Sequence, residues 1–119
     1  MQSIKQRAIK HLRIAIENDR NHLPSTIALC DVLSENGEYE QVEAILVEAI
    51  SKTSKSPELY FRLSEISLMQ DKHDDAINAL ENAIILNPHN PKFYKLGSDI
   101  YHSNKLEHLS IPYLEKLID

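Results

Sequence analysis

Six histidines and one cysteine are the side chains of this 119-residue sequence best suited to chemistry. A zinc site on a helix needs paired ligands on one face, as in His-x-x-x-His or His-Glu-x-x-His. Neither pattern occurs, and His102 and His108 stand six apart across an expected turn. His73-Asp74-Asp75 joins an imidazole to two carboxylates, but it lies where a helix should begin, and acidic groups in a first turn are held there by the helix dipole. Cys30 is alone, so no internal disulfide or thiolate cluster can form, and its small neighbours fit a core thiol better than a nucleophile. No glycine-rich loop is present to cradle a phosphate. We therefore expect no catalytic residue, no metal and no cofactor, and read the chain as non-enzymatic.

The elements that carry these residues are helical. Leu, Ile, Ala, Glu and Lys dominate, with only two glycines and five prolines to interrupt them. The length suits one core. Residues 1–22 carry five basic and two acidic side chains, whereas residues 23–56 and 57–90 each carry two basic and six acidic ones. Lys5, Arg7, Lys10 and Arg13 lie mostly opposite Ala8, Leu12 and Ala15, as on a solvated helix face, and the acidic remainder would repel phosphates, which argues against nucleic acid. No stretch approaches the roughly 18 apolar residues of a membrane span, so no membrane insertion by this chain is expected. A lone cysteine leaves the compartment open, with the cytoplasm slightly favoured.

The helices repeat every 34 residues without insertions. Ala8, Val42, Ala76 and Ser110 form one column, and Leu12, Leu46, Leu80 and Leu114 another, four residues on. Ala15, Ala49, Ala83 and Leu117, then Ile16, Ile50, Ile84 and Ile118, complete one helix face seen four times. Partner helices add the columns Cys30, Ser64, Ser98 and Val32, Ile66, Ile100. Polar turns join the two helices of a unit at 35–40 and 70–75, and Pro57, Pro88 and Pro91 separate successive units. Small residues let helices cross closely, and one pair cannot bury such a face alone. Stacked pairs make a continuous core.

These columns resemble the tetratricopeptide repeat family. Residues 57–90 match best: Tyr60, Leu63 and Ser64 take the aromatic-Leu-Gly places, Ala76, Leu80 and Ala83 the second-helix places, and Pro88 the closing proline. Residues 23–56 keep Leu29, Cys30, Leu33, Gly37, Tyr39, Ala49 and Ile50, but put Thr26 in the aromatic place. In residues 91–119 either Phe93 or Tyr94 fills that place, and Pro112 makes the second helix start late, near Ser110. Residues 1–22 read as a second helix without its first. The resemblance implies an all-α fold: one right-handed superhelical solenoid of antiparallel helix pairs over residues 1–119, with seven helices. The unmatched end faces fit an excised piece of a longer array or self-association.

The resemblance also implies a protein-protein interaction scaffold that holds a peptide or partner helix in a concave groove lined by the first helix of each pair. Carried onto this sequence, the binding residues are Phe61, Arg62, Glu65, Leu68, Met69, Lys92, Lys95 and Asp99, with Ile27, Asp31 and His102 alongside. The family's clamp for chaperone carboxylates is not retained. Ile27, Asp31, Arg62 and Leu96 replace its residues, and Lys92 alone remains. Two other readings are an accessory region of a larger enzyme, such as a glycosyl or other group transferase, and a self-assembling structural module.

Overall fold

The computed structural model describes residues 4–18, 23–53, 56–103, 112 and 115–116. All regular structure among them is helical: α1 (Ile4–Asn18), α2 (Leu23–Glu35), α3 (Tyr39–Lys52), α4 (Pro57–Met69), α5 (His73–Leu86) and α6 (Pro91–Ser103). The expected all-α fold of paired helices is present. The count is six described helices, not seven. The expected last helix falls almost wholly outside the described residues, including Ser110, Leu114, Leu117 and Ile118; only Pro112, Glu115 and Lys116 are described there, helical and exposed. The chain forms two compact units, Met1–Ser54 and Lys55–Asp119.

In the first unit α2 packs against both α1 and α3. Leu29, Cys30 and Leu33 of α2 are buried, as are Val42 and Leu46 of α3. Helix α1 buries no residue completely; Ala8, Ile9, Leu12, Ala15 and Ile16 are half-buried, while Lys5, Arg7, Lys10 and Arg13 are exposed. The solvated basic face is where the amphipathic pattern put it. In the second unit α4 packs along α5, α5 packs on α6, and α4 touches α6. Ala76, Leu80, Ala83, Phe93, Leu96 and Ile100 form its core, with Tyr60, Phe61, Leu68, Ile77 and Ile84 packed against them. At the crossing of α4 and α5 the Ser64 hydroxyl donates to the Ala76 carbonyl at 2.7 Å.

The turns within both units share one backbone device. Gly37 is left-handed, at φ 77°, and the amide of Glu38 donates to the Leu33 carbonyl at 2.9 Å. One period later Asp71 is left-handed, at φ 59°, and the amide of Lys72 donates to the Ser67 carbonyl at 2.9 Å. This helix-ending bond satisfies a carbonyl that the helix leaves free and reverses the chain within three residues. The turns are therefore tighter than the polar segments indicated. Tyr39 and His73 already begin the next helices, and Asp74 and Asp75 occupy the first turn of α5 as their charge requires.

Between successive repeats the prolines act as starts as well as stops. Pro57 and Pro91 open α4 and α6, where the missing amide proton is not needed. Asn90 caps α6 by accepting from the Lys92 amide at 3.0 Å, and the Tyr94 hydroxyl donates to the Pro88 carbonyl at 2.6 Å. Tyr94 is thus committed to the Asn-Pro-His-Asn-Pro corner, and Phe93 supplies the buried ring, 1% exposed.

Leu80 is fully buried, so Leu80→Ala should cost about 2 to 5 kcal/mol in denaturant melts. Ala76→Phe, which overfills the α4–α5 crossing, should cost about 1 to 3 kcal/mol or more. The turns give a cleaner backbone test, because a methyl group added at Gly37 would meet nothing within 4 Å. Gly37→Ala should lose about 1 kcal/mol from the left-handed strain alone, whereas Asp71→Gly should gain up to about 1 kcal/mol.

Candidate functional site

All eight residues assigned to partner binding belong to the second unit, five on α4 and three on α6. They differ sharply in how much surface they leave free. Lys92, Lys95 and Asp99 are exposed and recur on successive turns of α6, beside the buried stripe of Phe93, Leu96 and Ile100. Met69, at the end of α4, is 59% exposed, a large apolar side chain open to solvent. Arg62 and Glu65 are half-buried, and the Arg62 guanidinium donates to the Glu58 carboxylate, one turn earlier, at 3.0 Å.

Phe61 and Leu68 are half-buried and pack against the core. The Phe61 and Phe93 rings lie 5.2 Å apart at a tilt of 36°. That pair is a seam between α4 and α6, so Phe61 stands at the boundary between core and surface. Phe61 and Leu68 stand seven apart on one stripe of α4, distinct from the stripe of Tyr60, Leu63, Ser64 and Ser67, and that spacing alone does not show that α6 places a ring against the first of them. Ile27 and Asp31 are half-buried on α2, in the other unit, and His102 is exposed at the end of α6.

A further concavity in the first unit was not foreseen. It is a half-open cleft of about 270 Å³ with Thr26 and Leu29 of α2 at its buried end. Half-buried Ile16, Ile45 and Ala49 line its apolar walls, and the exposed charges of Arg13, Glu17, Glu48 and Lys52 surround them. Arg13 donates to the Gln41 side chain at 3.0 Å, and Lys52 pairs with Glu48 at 2.8 Å. The available sequence signal was Thr26 itself, a small residue in a place meant for an aromatic ring. Among the described residues no three His, Cys, Asp or Glu side chains converge as a metal site, and no helix is long and apolar enough to cross a membrane. His22 and His108 lie outside the described residues.

Comparison with known proteins agrees with this architecture. A family model described as a tetratricopeptide repeat matches residues 57–90. A solved structure of MamA superposes with a TM-score of 0.80 at 24% identity, covering 99% of this chain and 74% of that one. MamA from Desulfovibrio magneticus gives a TM-score of 0.83 at 17% identity, over 96% of this chain and 64% of that one. In sequence, 86 residues, 68% of the chain, are 31% identical to the mouse protein O-mannosyl-transferase TMTC1, and the human protein is 30% identical over the same length. The chain spans about a tenth of the length of these curated relatives, 9% and 10% respectively.

The seam is open to a direct energetic test. Phe93→Ala should cost about 3 to 5 kcal/mol, as for other buried rings, and Phe61→Ala less, because its ring is half-buried. A double-mutant cycle on the two should return a coupling of about 0.5 to 1.5 kcal/mol beyond lost area. Additive losses in urea melts would show that the rings do not interact.

Proposed function

We propose that the chain, whose residues 57–90 match a tetratricopeptide repeat model and whose helices superpose on those of MamA, is a protein-interaction scaffold that binds a partner segment on the α4–α6 side of the second unit. The observation that carries this reading is the exposed Met69 in a unit that also presents Lys92, Lys95 and Asp99 to solvent. Met69 and the open part of Phe61 offer apolar contact. Lys92 and Lys95, with Arg62, offer cationic groups to an acidic side chain or a terminal carboxylate, while Glu65 and Asp99 disfavour a uniformly acidic ligand. The segment that fits is amphipathic, with an apolar anchor beside one or two acidic residues. It binds as a helix or as a peptide that orders on contact.

A second reading has one observation in its favour. The 86-residue similarity to a transferase about ten times longer fits an accessory region that positions a substrate or partner for a separate catalytic domain. The parent reading frame discriminates, since an appended catalytic domain would support this second reading. Self-association through the half-buried face of α1 is a third arrangement, and the mass of the purified chain in solution tests it.

For the α4–α6 surface, a partner recovered by pull-down from the source cell should be titrated calorimetrically against folded variants. Met69→Ser should weaken binding without lowering stability, because the side chain is exposed. Phe61→Ala should cost more than about 2 kcal/mol of binding if the ring is an anchor. Arg62→Ala should flatten the dependence of affinity on salt. Parental affinity in all three variants, with circular dichroism showing intact helices, would move the site to another face.

A further inference from the structure

The cleft of the first unit occurs where the repeat has lost an aromatic ring. Thr26 of α2 stands 34 residues before Tyr60 of α4, so the two occupy the same place in successive units. In the second unit Tyr60 packs against the core, and Ala79 and Ala83 of α5 are 5% and 0% exposed. The matching residues of α3, Ile45 and Ala49, are only half-buried and line the cleft beside Thr26. Exchanging a phenol side chain for a hydroxyethyl one removes most of a ring's volume at this position, and the surroundings have not collapsed to replace it. A volume of about 270 Å³ remains, where about 150 Å³ suffices for an apolar cavity to take up benzene.

From this we infer that the first unit carries a second binding site, in which the cleft at Thr26 receives the side chain of a tyrosine presented by a partner polypeptide. The walls and the surrounding charges favour a neutral aromatic group with a polar tip. Leu29, Ile45 and Ala49 supply apolar contact for the ring. Two basic and two acidic residues surround it, Arg13 and Lys52 against Glu17 and Glu48, so the site has no net charge to reward an ionic ligand and carries polar groups among its lining, as a phenol's hydroxyl end requires. A second copy of this chain is a poorer source of the ring. Each of the four described tyrosines, at 39, 60, 94 and 101, is itself half-buried, and the Tyr94 hydroxyl is already bonded to Pro88; Tyr113 lies outside the described residues, and the dimer outcome below covers it. This site is separate from the α4–α6 surface, so either can fail without the other.

The probe is p-cresol, the side chain of tyrosine, titrated into the intact isotope-labelled chain and followed by amide and methyl chemical shifts. Saturable shifts should appear at Ile16, Leu29, Ile45 and Ala49 and not at Leu80 or Ile100. N-acetyltyrosinamide should give the same footprint and N-acetylleucinamide should not. Thr26→Tyr should raise the thermal midpoint and abolish the p-cresol response, while Thr26→Val, which leaves the cleft open, should keep it. Should Thr26→Tyr fail to fold, Ala49→Leu, which narrows the cleft from α3, takes its place as the blocked variant. Absence of saturable shifts at these residues, an equal response to the leucine compound, or an undiminished response in a folded blocked variant would each overturn the proposal. So would a dimer whose dissociation parallels loss of the response, since it would assign the ring to a second copy.

Discussion

The Ser64 hydroxyl can reach the Ala76 carbonyl only if the backbones of α4 and α5 come nearly into contact, and that approach sets the rest of the second unit. A larger side chain at either position would hold the helices apart. The Ala76 carbonyl already belongs to the ladder of α5, so the serine uses its second lone pair and a buried hydroxyl is satisfied at no expense to the helix. With the helices this close, Leu80 and Ala83 close the seam on one side, and α6 can lay Phe93 and Ile100 over it. One turn along α4, Ser67 is 1% exposed and its hydroxyl has no hydrogen-bond partner. An unsatisfied buried polar group costs about 1 to 3 kcal/mol.

The columns of the 34-residue repeat made the helices, their order and most of the core legible before any coordinates. Val42, Leu46, Ala76, Leu80 and Ala83 are all buried, and period alone identified them. Two kinds of information were not in the period. Phe93 and Tyr94 are adjacent, apolar enough and aromatic, and only the cap at Asn90 and the bond from Tyr94 to Pro88 decide which ring turns inward. The candidate surface has the same difficulty at Phe61. Periodicity says that a second stripe exists on α4, but the partition of that stripe between neighbouring helix and solvent depends on how α6 lies against it. The unfilled volume at Thr26 was legible as a substitution and not as a cleft, because a sequence does not say whether neighbours relax into a gap.

The two candidate sites arise from opposite departures from ideal packing. On the second unit apolar side chain is left over beyond the core: Phe61 packs against it yet stays half-buried, and Met69 is open to solvent. On the first unit a deficit of side chain leaves concave apolar walls. A ligand on the second unit would share residues with the core, and its binding would stabilise the fold by linkage. A ligand in the concavity would complete packing that the chain lacks. Either route would let paired helices recognise a partner without a dedicated loop, which accords with the short connections between α2 and α3 and between α4 and α5.

Cys30 occupies in α2 the place that Ser64 occupies in α4, and it is 2% exposed. A thiol reagent attacks the thiolate and must reach it, so this residue reacts only during excursions that part α2 from its neighbours. The chain thus contains a single chemical clock with no competing thiol. Its labelling half-life lengthens about tenfold for every 1.4 kcal/mol added to the free energy of opening. Under native conditions, where local opening is more frequent than global unfolding, that clock reads the opening of the first unit around α2.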